Sequence, residues 1–72
     1  SHSAGLSDRE VEVLRLVARG LSNKQMAARL NIAEKTISHH VQHIYDKIDV
    51  STRAGATLFA MQHNLLSDLD DA

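Results

Sequence analysis

A chain of 72 residues with eight Lys/Arg, nine Asp/Glu and a formal charge of −1 makes one small domain, close to the lower size at which a single core folds unaided. It has no Cys, which excludes disulfides and thiolate metal sites, and with no Pro and only Tyr45 and Phe59 as aromatics its core must be aliphatic and its elements helical. No stretch is long enough to span a bilayer and no signal-peptide pattern is visible, so a cytoplasmic location is expected.

Residues 1–5 read as a flank, with Ser1-His2-Ser3 resembling a cloning remnant. Ser7-Asp8-Arg9-Glu10 is a capping box, and Leu6 is placed to staple onto Val11 one turn inside the helix. The first helix is expected near 8–19, stopping at Gly20. Ser22-Asn23-Lys24-Gln25 repeats the device, with Leu21 stapling onto Met26, and predicts a second helix near 23–30. A third helix is expected near 34–48, and a fourth near 52–63 capped by Ser51. Asn31, Asp49 and Asn64 stand at helix ends. Asn and Asp tolerate the left-handed conformation best among residues with a side chain, so positive φ is expected at all three. Residues 67–72 carry Asp68, Asp70 and Asp71 and read as an acidic, frayed tail. The sum is an all-α, compact four-helix domain spanning residues 6–66.

The third helix carries the functional signal. At about 100° per residue, Ile37, Val41, Ile44 and Ile48 fall in a stripe roughly 60° wide, the face that packs. Lys35, Ser38, His39, Gln42 and Asp46 lie opposite, with Thr36, His40, His43 and Lys47 on the flank. A short helix, a tight turn and a longer helix with this division make a helix-turn-helix, whose second helix reads base edges from one side. An ordinary solvated helix face has the same look. Between Lys24 and Arg53 there are five Lys/Arg against three acids, a small basic excess in an acidic chain, so weak and strongly salt-dependent DNA binding is expected of one domain.

On the fourth helix Ala56, Phe59, Ala60 and Leu66 can face the core. Ala54, Leu58 and Met61, with Thr57 beside them, point the other way. They form either an interface or a strip buried within the monomer. His39 and His43 have metal-ligand spacing, but nothing completes a four-ligand set and no metal or other cofactor is expected. The Ser and His residues lie on exposed turns and faces, no glycine-rich phosphate loop occurs, and the domain is too small to enclose a reaction site. An enzyme is not expected.

Leu6-Ser7-Asp8-Arg9-Glu10, Val13-Leu14, Gly20-Leu21-Ser22-Asn23-Lys24, Ala27, Leu30, Ile32, Thr36-Ile37, His40-Val41, Ile44, Lys47-Ile48, Val50, Arg53, Ala56, Ala60 and Leu65-Leu66 together resemble the LuxR-type (GerE-like, FixJ/NarL-like) DNA-binding domain. The resemblance implies the C-terminal output domain of a bacterial transcription regulator. It would bind double-stranded DNA through the third helix and form a homodimer through the fourth on an inverted-repeat site. It admits RNA polymerase as a partner and involves no small molecule. The family's base-reading positions fall on Ser38, His39 and Gln42. Backbone contacts fall on Ser22, Asn23, Lys24, Lys35, Thr36, Lys47 and Arg53, and the dimer face on Ala54, Thr57, Leu58 and Met61. Ser22 can equally be a pure helix cap, and Arg53 can instead brace the turn before the fourth helix by an internal ion pair.

Departures from the family weigh on this reading. Ser38 stands where the family usually has Lys, Asp46 faces the DNA side, and Ala33 replaces the usual Ser or Thr cap at a cost of roughly 0.5–2 kcal/mol. The alternative is a protein-interaction or dimerisation module that keeps the fold with weak or lost DNA affinity. Protonation of His39, His40 and His43 in acid adds positive charge to the reading helix. DNA affinity is therefore expected to be higher at pH 5.5 than at pH 8, and equal affinities in a paired anisotropy titration contradict it.

Overall fold

The computed structural model describes residues 2–66; Ser1 and the tail read over residues 67–72 lie outside the described residues. A 3-10 turn over Ser3–Gly5 precedes α1 (Asp8–Ala18), α2 (Asn23–Leu30), α3 (Glu34–Ile48) and α4 (Arg53–Gln62), with no strand among the described residues. The fold class is all-α, as the periodicity predicts. None of these helices is long and apolar enough to cross a membrane.

Each helix start is set by local chemistry. The Ser7 hydroxyl accepts from the Glu10 N–H at 3.1 Å while the Glu10 carboxylate accepts from the Ser7 N–H at 2.9 Å. Ser22 and Gln25 form the same reciprocal pair at 3.1 and 2.8 Å. Each pair satisfies two amides that the first turn leaves without intrahelical acceptors. Ala33 offers no side-chain cap to α3. At α4 the expectation needs correction. Thr52, not Ser51, is the cap, its hydroxyl accepting from the Gly55 N–H at 3.0 Å. Val50 packs against the core, so the extended link of Ser51 and Thr52 is needed before the helix can begin.

The helix ends share one device. Gly20, Asn31, Asp49 and Asn64 have φ of 92°, 58°, 59° and 59°, so the three non-glycine positions are left-handed as expected. The next residue in each case closes a six-to-one hydrogen bond: Leu21 to Leu16 at 3.2 Å, Ile32 to Ala27 at 3.0 Å, Val50 to Tyr45 at 3.0 Å and Leu65 to Ala60 at 2.9 Å. This is the Schellman arrangement, in which an apolar residue after the left-handed one packs back onto its own helix. All four such residues lie in the core cluster or against it. Each turn therefore both ends a helix and anchors the following link.

The core is aliphatic. Val11, Val13, Leu14, Leu16 and Val17 of α1 meet Met26 and Ala27 of α2, Ile37, Ile44 and Ile48 of α3, and Ala56 and Ala60 of α4, with Leu6 and Leu65 closing it. Ala56 and Ala60 are fully buried, and their small side chains let α4 lie close to α1. Phe59 and Leu66 are half-buried at its margin, as is Val41, which the stripe on α3 placed inside.

One charged group joins this core. Glu10 is 4% exposed, and the Lys47 ammonium lies 2.7 Å from its carboxylate while also donating to the Gly5 carbonyl at 3.2 Å. The hydrogen bond from Lys47, working against desolvation and aided by the Ser7 amide, lowers the Glu10 pKa from 4.5 to about 2. The carboxylate's contribution to stability is therefore full above pH 4.5 and is lost as the pH falls towards about 2. Glu10→Gln keeps an acceptor for Ser7 but loses the charge that Lys47 needs. It is expected to destabilise the domain by about 1–3 kcal/mol at pH 7. Urea unfolding over a pH series should show the gap to the wild-type protein closing below pH 4.5, and a gap independent of pH contradicts the assignment.

Candidate nucleic-acid interface

The third helix presents the face that its periodicity promised. Ile37, Ile44 and Ile48 are buried, while Lys35, Thr36, Ser38, His39, Gln42 and Asp46 are exposed and His40 is half-buried. A shallow, open recess of about 500 Å³ runs along this helix between Thr36, His39, His40, Gln42, His43 and Asp46.

The side chains expected to read bases are not loose. The Asn23 amide donates to the Ser38 hydroxyl oxygen at 3.2 Å, joining the N-terminus of α2 to the middle of α3. Ser38 thereby keeps its own O–H as a donor. The Gln42 amide donates to Asp46 at 3.0 Å, one turn along the same helix. That leaves Gln42 its carbonyl oxygen and a second N–H. His43 turns the other way, its Nδ1 3.5 Å from the Glu10 carboxylate. The His40 ring makes no hydrogen bond among the described residues. No group of three or more His, Asp or Glu could hold a metal ion among the described residues.

Ser22 and Lys24 are exposed and Asn23 is half-buried at the start of α2. The capping pair engages the Ser22 and Gln25 amides and leaves the first-turn N–H groups of Asn23 and Lys24 pointing outward, at the positive end of the helix dipole. Ser22 is thus a helix cap whose neighbouring amides stay open.

Two of the expected backbone residues are engaged inside the molecule. Lys47 is held by Glu10 and the Gly5 carbonyl. Arg53 donates to the Val17 carbonyl at 2.7 Å, the bracing role, made to a main-chain oxygen at the C-terminal end of α1. On α4, Leu58 and Met61 are 53% and 62% exposed, so they are not buried within the monomer. Ala54 is exposed beside them, and the half-buried Thr57 donates its hydroxyl to the Arg53 carbonyl.

The eight cations of the chain divide cleanly. Arg9 pairs with Glu12, Arg15 donates to the Leu65 carbonyl, and Lys47 and Arg53 are held as above. Arg19, Lys24, Arg29 and Lys35 are exposed, and their side chains have no hydrogen bond or ion pair among the described residues. All four lie on α2, in the turn before it or in the first turn of α3. Sequence reasoning passed over Arg19 and Arg29, although a signal was present. Residues 13–33 contain no acid at all.

The family model described as bacterial regulatory proteins, luxR family, matches residues 4–60. Response regulator protein VraR of Staphylococcus aureus is 43% identical over 61 residues, covering 85% of this chain and 29% of the relative. Its namesake in Staphylococcus saprophyticus matches to the same extent. Among solved structures, response regulator ChrA of a heme-sensing two-component system is similar with a TM-score of 0.80 and 46% identity, over 85% of this chain and 30% of that one. The chain thus spans about 29% of the length of the curated relatives it matches.

The position of Arg53 makes a separable prediction. Arg53→Met removes a charged donor from a helix-terminal carbonyl and is expected to destabilise the domain by about 1 kcal/mol. The slope of DNA affinity against salt should stay as in the wild type. A lower slope at unchanged stability makes Arg53 a phosphate contact instead.

Proposed function

The chain belongs to the luxR family of bacterial regulatory proteins, a family of DNA-binding transcription regulators, and we propose that it binds double-stranded DNA sequence-specifically, with α3 in the major groove. The observation that carries this reading is the bond between Asn23 and Ser38. It makes the phosphate-facing start of α2 and the reading face of α3 one unit, so a register set on the backbone is transmitted to the bases.

Lys24 and the open amides of α2, with Lys35 and Thr36 at the start of α3, hold the phosphates. Lys47 and Arg53 are left out because internal bonds engage them. Ser38, His39 and Gln42 read base edges. With one N–H given to Asp46, Gln42 still offers an acceptor and a donor side by side, the pair that fits N6 and N7 of adenine. Asp46 then positions Gln42, in spite of its own repulsion of phosphate. The exposed strip of Ala54, Leu58 and Met61 supports a homodimer through α4. Such a dimer places two reading helices about one DNA turn apart on an inverted repeat.

The relatives are named as response regulators, which supports reading this domain as the output module of a longer cytoplasmic regulator, with RNA polymerase as a further partner. The rival is an interaction module with little DNA affinity. It draws on Ser38 and Asp46 in the reading face and on the internal engagement of Lys47 and Arg53.

An amide-shift NMR titration with a generic duplex, at low and then raised salt, separates the two. Shifts concentrated at residues 22–24 and 35–42 that fade with salt are the expected result. No shifts there, or shifts confined to α4 as protein concentration rises, favour the interaction module.

A further inference from the structure

We propose that Arg19 and Arg29 form a second phosphate-binding ledge on the outer side of α2, extending the DNA footprint beyond the contacts of the helix-turn-helix. The inference rests on the DNA-binding reading above but adds residues that reading does not use.

The two arginines face one open recess of about 520 Å³, whose remaining lining is Gly20, Leu21, Gln25 and Ala28. No acidic side chain lines it. Arg19 stands in the turn that leads into Ser22, and Arg29 lies one helical turn after Gln25, whose amide oxygen caps Ser22. The recess is therefore bordered by Gln25 of the capping pair at the start of α2. Arg29 is set back about 6 Å along the helix from Gln25.

Electrostatics point the same way. Arg9 pairs with Glu12 at 3.3 Å. Arg19 and Arg29 pair with no carboxylate among the described residues, and residues 13–33 hold no acid. A guanidinium presents a planar fork of donors suited to two oxygens of one phosphate. Two such forks flanking a shallow, mostly uncharged recess suit a backbone that passes over it. With Lys24 and Lys35, they make four exposed cations on or next to α2 and the first turn of α3 in a domain of net charge −1.

Counterion release makes the test quantitative. Each phosphate neutralised contributes about 0.9 to the slope of log affinity against log salt for duplex DNA. Fluorescence anisotropy with a labelled generic duplex, over about 50–200 mM KCl, is the readout. Arg19→Gln and Arg29→Gln are each expected to lower the slope by about 0.9, and the double variant by about 1.8. Arg9→Gln, which removes a cation already paired on α1, should leave the slope unchanged. Both ledge residues are exposed and unpartnered, so their variants keep the wild-type melting temperature.

A double variant with the wild-type slope, while Lys35→Gln still lowers it, overturns the ledge and leaves DNA binding standing. The arginines would then suit an acidic protein surface better than a phosphate. If Lys24→Gln and Lys35→Gln also leave the slope unchanged, the DNA-binding reading itself fails.

Discussion

The carboxylate of Glu10 sits where three parts of the chain meet, and the placement of α3 depends on it. It closes the capping box with Ser7, receives the Lys47 ammonium from the last turn of α3 and has His43 of the same helix 3.5 Å away. A single unpaired charge at this depth would be strongly unfavourable, so Glu10 and Lys47 hold each other in place. Lys47 also reaches the Gly5 carbonyl, which ties down the turn before α1. The C-terminal half of α3 is thereby fixed against α1, and the Asn23–Ser38 bond steadies its N-terminal half against α2. A helix held at both ends presents its outer side chains in one register, which base reading demands.

Local structure was written plainly in the chain because it depends on neighbours three to six residues apart. Both capping boxes, and the left-handed positions at Asn31, Asp49 and Asn64, follow from side-chain chemistry that acts within one turn. The fourth cap shows the limit of such reading. Ser51 and Thr52 are equally able caps, and only the demand that Val50 reach the core decides between them.

The site was legible to the extent that it sits on one helix. Ser38, His39 and Gln42 share a face by periodicity alone, and the structure exposes all three. Lys47 was read as a phosphate contact, and Arg53 as either that or a brace, because their partners are remote: Glu10 lies 37 residues away and Val17 lies 36 away. Nothing in the local pattern distinguishes a lysine that will find a buried carboxylate from one that will face solvent. Arg19 and Arg29 failed for the opposite reason. They carry no motif, and their meaning emerges only once the partners of Arg9, Arg15, Lys47 and Arg53 are known.

That partition explains how a slightly acidic domain can still be electrostatically suited to DNA. Net charge averages over a surface, whereas a phosphate at contact senses charges within about 10 Å at moderate salt. Here the structure sorts its charges by side. Arg9 is paired within α1, Arg15 is bonded to the Leu65 carbonyl after α4, and Lys47 and Arg53 tie α3 and α4 to α1. The unpaired cations gather around α2 and the start of α3, where open helix N-termini add further positive potential. Of the two internal bonds that cost the domain candidate phosphate contacts, the one between Lys47 and Glu10 also offsets a positive charge with a carboxylate. The residual field is directional, and a directional field orients a duplex as well as attracting it. On the proposed reading, a domain with weak overall charge would gain affinity from doubling. The exposed Leu58 and Met61 on α4 offer a surface on which two such oriented copies can pair.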